Sequence, residues 1–235
     1  MRIVAGTSGF SYKQWQGPFY PDKLPAKAML GYYAGRLPTV EINNTFYRLP
    51  TEALLEGLRK QVPDDFRFAV KAPRRITHIK RLAQCAEELH YLLTALGALQ
   101  PCLGSILFQL PPYFKRDTQT LAAFVEQLPS GCAAAFEFRH DSWFEPEVYD
   151  ILRARNFALV QSEEADTPAE RALPWTADWA YLRLRKVDYA ERDLRDWLAR
   201  LHAAPLREAQ VFFKHEDEAT GPKLAERFLA MAAEA

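Results

Sequence analysis

Glu137 and Arg139 stand two residues apart in a short β-rich run, so a strand sends both side chains out from one face. The same parity recurs along the chain. Glu41 and Asn43 share a face, and Arg67, Ala69 and Lys71 oppose Phe66, Phe68 and Val70. Tyr181, Arg183 and Arg185 oppose Leu182 and Leu184. Gln210, Phe212 and Lys214 oppose Val211 and Phe213, and Gln109 ends its own run. Two carboxylates, a lysine and several guanidinium groups on one surface suit acid/base chemistry on a small anionic molecule, phosphorylated or carboxylated. Glu137 or Glu41 would be the acid/base. Lys71 would hold the partner charge or act as a nucleophile. Arg139, Arg183 and Lys214 would clamp the anion, arginine being able to do so bidentately. Isomerisation, lyase chemistry and hydrolysis all fit this set. A purely structural ion-pair layer, with Glu41 and Glu137 paired to Lys71, Arg139 or Arg183, is the competing reading.

Asn43, Gln109, Tyr12, His140 and Trp143 complete the candidate substrate-binding set. Tyr12 lies in the loop Thr7-Ser8-Gly9-Phe10-Ser11-Tyr12, with Trp15, Phe19 and Tyr20 beyond it. That loop reads either as a lid or as an aromatic cluster sealing the mouth of the fold. His140 and Trp143 follow the Glu137 run; His140 reads as a proton carrier or as a capping side chain.

These residues need strands to aim them. Candidate strands cover residues 2–7, 39–43, 66–71, 105–109, 134–138, 157–161, 179–185 and 210–214. Between them the 3.6-residue apolar period marks helices at 26–36, 51–61, 79–99, 117–128, 145–155, 193–203 and 222–233, and none at 162–178. Strand–helix alternation implies a parallel sheet with right-handed crossovers. Eight units in 235 residues favour one α/β domain over 1–235, a (β/α)₈ barrel of the triosephosphate-isomerase type, with a doubly wound open sheet as the competitor. The large apolar faces then pack outward on the helices. The polar ends gather inside at the carboxyl ends of the strands, where barrel active sites are built.

Composition narrows the partners. Thirty basic residues balance thirty acidic ones, which removes long-range attraction to nucleic acid or anionic lipid. No apolar run approaches the ~20 residues that span a bilayer. The three cysteines, Cys85, Cys102 and Cys132, have no Cys-x-x-Cys spacing, and the first residues turn polar too soon for a signal peptide. The expectation is a cytoplasmic protein. No dinucleotide, Walker, nucleophile-elbow or zincin motif is present. Glu41, His78, Glu137, His140, His215 and Asp217 could supply metal ligands, but toward the strand ends the inward cations Lys71, Arg139, Arg183, Arg185 and Lys214 outnumber the anions Glu41 and Glu137 five to two. Such a site repels a divalent cation, so no metal and no cofactor is expected. The rival functions are a non-catalytic sensor of an anionic metabolite and a nucleic-acid-binding protein stacking bases on the first loop.

Several strings resemble those of the YecE-like family, domain of unknown function 72: Thr39-Val40-Glu41-Ile42-Asn43-Asn44-Thr45-Phe46-Tyr47-Arg48, Val70-Lys71-Ala72-Pro73-Arg74-Arg75-Ile76-Thr77-His78, Leu107-Phe108-Gln109-Leu110-Pro111-Pro112 and Glu137-Phe138-Arg139-His140-Asp141-Ser142-Trp143. The opening Gly6-Thr7-Ser8-Gly9-Phe10-Ser11-Tyr12 and Gly17-Pro18-Phe19-Tyr20-Pro21 match as well. The resemblance covers nearly the whole chain and implies the same barrel; it implies no activity. The chain departs from the family pattern twice. Arg183-Leu184-Arg185-Lys186 stands where many members resemble Arg-Leu-His-Gly, and Phe212-Phe213-Lys214-His215-Glu216-Asp217 replaces an Asn-rich turn.

Overall fold

A parallel strand covered on both faces must send its larger apolar side chains outward and fill a narrow interior with the rest. The structure, a computed structural model, describes residues 1–164, 173–186, 188–215 and 217–234. Nine strands pair wholly in parallel: β1 (Arg2–Ser8), β2 (Thr39–Ile42), β3 (Arg67–Lys71), β4 (Leu103–Gln109), β5 (Ala134–Glu137), β6 (Ala158–Leu159), β7 (Gln161–Glu164), β8 (Trp179–Arg185) and β9 (Glu208–Phe213). Their order is β6-β5-β4-β3-β2-β1-β9-β8-β7. The sheet therefore curls into a nearly closed α/β barrel, as expected. The helices are α1 (Ala26–Ala34), α2 (Asn44–Tyr47), α3 (Glu52–Arg59), α4 (Ala86–Leu96), α5 (Thr118–Val125), α6 (Pro146–Arg153), α7 (Glu191–His202) and α8 (Thr220–Ala233). Among the described residues, no helix is long and apolar enough to cross a membrane.

The face parity holds. Ala69, Leu107, Ala135, Ala158, Val160, Trp179, Tyr181 and Phe212 form a separate apolar cluster inside the barrel. Phe66, Phe68, Phe108, Phe136, Leu182 and Phe213 pack outside it, in the layer beneath the helices. Gly6 lets β1 and β2 close tightly, since a Cβ there would lie 1.9 Å from the Thr39 carbonyl oxygen. That pairing sets Ser8 opposite Glu41.

Three sequence expectations change. The strand at 157–161 is split at Val160: β6 pairs with β5 and β7 with β8. Thr176, on the chain returning to β8, takes the edge that β6 leaves open. Its hydroxyl accepts from Leu159 N at 2.8 Å and donates to Phe157 O at 2.7 Å. The helix expected at 79–99 begins only at α4. A wide helical turn, Arg75–Ile79, precedes it, and Arg81, Leu82 and Gln84 have φ of 50°, 68° and 47°, which no right-handed helix admits. Buried Leu82 kept the apolar period alive through this break. The short α2 was not expected; the Thr45 hydroxyl ties it to Ile42 O and Lys71 O. As anticipated for a helix end, Asn156 is left-handed, φ 54°. No helix occupies the described parts of 162–178; its remainder and Glu216 lie outside the described residues.

Trp15, Phe19 and Tyr20 are buried, and Phe19 and Tyr20 pack edge-on against Tyr32 of α1. They seal the barrel flank in place of forming a lid.

Candidate functional site

Six strands carry polar side chains that meet in one hydrogen-bonded network near their carboxyl ends. Arg183, from β8, is its centre. One terminal nitrogen donates to Glu137 Oε2 at 2.6 Å and the other to Glu41 Oε1 at 2.8 Å. Glu41 also accepts from Tyr181 Oη at 2.7 Å and from the Ser8 hydroxyl, which in turn accepts from Asn43 Nδ2 at 2.9 Å. On the other side, Gln109 donates to Glu137 Oε1 at 2.7 Å and accepts from Lys71 Nζ at 2.8 Å. Arg139 Nε reaches the same Glu137 oxygen at 3.2 Å. Lys71 Nζ also lies 4.2 Å from the centroid of the Phe46 ring.

Burial makes these contacts consequential. Glu41 is 0% exposed, Glu137 2% and Arg183 2%. Burial alone would raise both carboxyl pKa values, but the attraction of Arg183, with the hydrogen bonds each carboxylate receives, outweighs it and holds both below the usual carboxylate range. Arg183 stays charged: desolvation opposes its cation, and the two carboxylates more than compensate. Burial, then repulsion from Arg183 and a smaller one from Arg139, push Lys71 down to about 8 against the opposing pull of Glu41 and Glu137. His78 is pushed down to about 4, first by burial and then by Lys71 and Arg139. Its ring packs edge-on to Phe46, centroids 4.8 Å apart, so one aromatic ring faces both bases.

The structure thus joins Glu41, Asn43, Lys71, Gln109, Glu137, Arg139 and Arg183. Tyr12 is half-buried beside them and donates to Ser8 O at 2.7 Å. Three of the expected residues stand elsewhere. Lys214 is exposed just past the end of β9. His140 caps the turn Asp141–Trp143 by accepting from Ser142 N at 3.1 Å, the capping role weighed for it. Trp143 is fully buried, stacked on Phe138 at 4.6 Å and donating to Phe114 O at 2.7 Å. It braces the loop after β5. Sequence reasoning left Ser8, Tyr181 and Phe46 out of the site and named His78 only as a possible metal ligand. Tyr181 was on the inward face and could have been included; the other three project from strand ends and loops, where parity gives no guide.

All four oxygens of Glu41 and Glu137 accept from protein donors. His215 contacts the Lys186 carbonyl, and among the described residues no three metal-ligating side chains gather. A divalent ion would have to displace Arg183 from both carboxylates. Elemental analysis of purified protein is therefore expected to find no stoichiometric zinc, manganese or iron; about one equivalent per chain would refute this reading of the carboxylates.

Charge is uneven around the mouth. The segments after β2, β3 and β4, residues 43–51, 72–85 and 110–117, carry seven Arg or Lys and one Asp, in a chain with no net charge. Those strands are neighbours, so the segments form one arc that stays cationic although Arg75 and Lys80 are paired with Glu88 at 2.6 and 2.8 Å. A separate cleft of about 910 Å³ opens at the other end of the barrel, where Arg2, Trp179 and Glu208 begin their strands. Its arginines are paired, Arg207 with Asp178 at 2.7 Å and Arg155 with Glu126 at 3.2 Å. In this architecture that end serves stability, and the site-building end is the one that holds the buried network.

A model of the family described as "Protein of unknown function DUF72" matches residues 4–235. The chain is 35% identical over 113 residues to UPF0759 protein YecE of Escherichia coli K12, and 30% identical over 139 residues to UPF0759 protein YunF of Bacillus subtilis 168. These alignments take in 48% and 56% of this chain, but only 42% and 49% of the relatives, so the chain spans about half the length of the curated relatives it matches. The crystal structure of a DUF72 family protein from Thermotoga maritima MSB8 superposes with a TM-score of 0.84 at 27% identity, covering 99% of this chain and 100% of that one. One from Enterococcus faecalis V583 gives 0.77 at 18% identity, covering 100% and 98%, a likeness of fold.

Proposed function

The chain belongs to the DUF72 family, and from that premise we propose that it is an enzyme binding a small phosphorylated or carboxylated molecule at the carboxyl ends of its strands. The observation behind this is a buried Glu41–Arg183–Glu137 triad whose carboxylate oxygens are all paired, standing beside two cations, half-buried Lys71 and exposed Arg139. The triad is scaffold. It fixes Glu137 and, through Gln109, Lys71. Lys71, poised at about 8, is the proton carrier, and Glu137 stays ionised as its electrostatic partner. Arg139 receives the anion, and the cationic arc steers it inward.

Arg139→Ala tests the binding half. Glu137 keeps Arg183 and Gln109 in this variant, so stability should fall little. The rise in melting temperature given by phosphate or citrate should shrink, corresponding to a loss of about 1.5–3 kcal/mol of binding, the scale of a hydrogen bond to a charged group. A large destabilisation without anion, with the anion response intact, would make Arg139 scaffold.

A nucleic-acid reading has one observation in its favour: Tyr47 and Tyr113, on the cationic arc, are 74% and 65% exposed and could stack bases. Retention of single-stranded DNA or RNA on a filter at low salt would favour it over the small-molecule reading.

A further inference from the structure

Lys71 ends β3, and α2 holds its backbone through Thr45. Its ammonium shares a network with two carboxylates, yet among the described residues it makes no ion pair. Its one hydrogen bond is to Gln109 Oε1, and its other neighbour is the Phe46 face. A lysine placed to neutralise buried acid would sit on the acid. Here Ser8, Tyr181, Gln109, Arg139 and Arg183 have taken every carboxylate oxygen, and Lys71 is left on a neutral acceptor beside a ring and two guanidinium groups. Desolvation against apolar groups and a neighbouring cation are each ways in which a lysine is made nucleophilic, and Lys71 has both, beside two carboxylates that other donors occupy.

Building on the anion-binding reading above, and giving Lys71 a covalent role in place of proton transfer, we propose that Lys71 Nζ forms a protonated imine with a small aldehyde or ketone that also carries a carboxylate or phosphate. The ammonium gives one proton to solvent. The amine lone pair then attacks the carbonyl carbon, the C=O π pair moves to oxygen, and that oxygen takes up a second proton lost by the attacking nitrogen. The carbinolamine hydroxyl takes back from solvent the proton first released and leaves as water while the nitrogen lone pair forms C=N. The balance is one ammonium and one carbonyl giving one iminium and one water, with no oxidant or reductant. The iminium retains a single N–H, enough to keep the bond to Gln109 Oε1, and Arg139 meets the substrate's anionic group. The position of the Lys71 pKa near 8 supports this, because a usable fraction of neutral amine exists just above neutral pH.

The test is reductive trapping on the full chain. Pyruvate, glyceraldehyde 3-phosphate and uncharged acetone are each added with sodium cyanoborohydride, followed by intact mass and peptide mapping. The expected result is one adduct per chain on Lys71 with the two anionic carbonyls, its mass increase equal to the compound less one oxygen atom. Acetone should label it far less, and Lys71→Arg should lose the adduct while melting as a folded protein. Equal labelling of Lys13, Lys115 and Lys214, unchanged in Lys71→Arg, would overturn the proposal. If Lys71→Arg does not fold, the wild-type map decides alone: no Lys71 adduct overturns it. Melting with phosphate or citrate separates the two ideas. Anion stabilisation without a Lys71 adduct sinks the imine and leaves the anion site; absence of both sinks both.

Discussion

Arg183→Met is expected to cost the folded protein about 3–5 kcal/mol at neutral pH, a large part of the roughly 5–15 kcal/mol that holds a typical domain together. The substitution fills similar space but leaves two carboxylates, 0% and 2% exposed, without their shared cation. Glu41 would retain Ser8 and Tyr181, and Glu137 would retain Gln109 and Arg139, which is too little to offset burial. The pH dependence should also reverse. In the wild type both carboxyls are held below their unfolded range. Their contribution is complete above the unfolded value, roughly pH 4, and is lost as pH falls through the lower folded values. Without Arg183 burial governs and lifts both folded values above the unfolded one. The variant then avoids the penalty only below roughly pH 4 and loses stability as pH rises through the raised folded values. Urea unfolding from pH 4 to 7 reads this directly. A variant as stable as the wild type at pH 7, with the same slope, would mean that Arg183 is not the keystone. Adding Glu41→Gln to Arg183→Met should recover part of the loss.

The same network shows what a one-dimensional reading can reach. Alternation along single strands was enough to put Glu41, Lys71, Glu137, Arg139 and Arg183 on inward faces, because the side-chain period of a strand is two and survives any barrel geometry. It could not say which charge meets which. The clamp expected of Arg139, Arg183 and Lys214 became one arginine neutralised by two carboxylates, one half-way to solvent and a lysine outside the network. Those differences arise from strand stagger, which places β8 opposite β2 and β5 across the barrel, and no local pattern encodes stagger. The split at Val160 was illegible for a similar reason: residues 157–164 read as apolar then polar, but which neighbour each half pairs with depends on closure. The false helix at 79–85 shows the reverse error, an apolar period preserved by Leu82 across residues whose backbone is left-handed.

Lys71→Met should have the largest effect on activity. If Lys71 carries the proton, or the substrate itself, turnover of any phosphorylated or carboxylated compound depleted by the wild type from a defined metabolite mixture should fall by about 10²–10⁴-fold. The fold should not suffer. Lys71 has no carboxylate to orphan; its loss frees only the acceptor Gln109 Oε1 and removes a cation from beside Arg183 and Arg139. The linkage is opposite to that of a paired lysine. A folded value near 8 lies below the unfolded value of roughly 10.4, so the folded state penalises the ammonium wherever the unfolded state is still protonated. That penalty is complete below about pH 8 and is relieved as pH rises toward roughly 10.4. Lys71→Met should therefore be at least as stable as the wild type at pH 7, with the difference shrinking between pH 8 and 10. Chemical unfolding at pH 7, 8.5 and 10 measures it beside the activity assay. A variant destabilised at pH 7 with its turnover intact would make Lys71 part of the scaffold and leave the proton chemistry without a carrier.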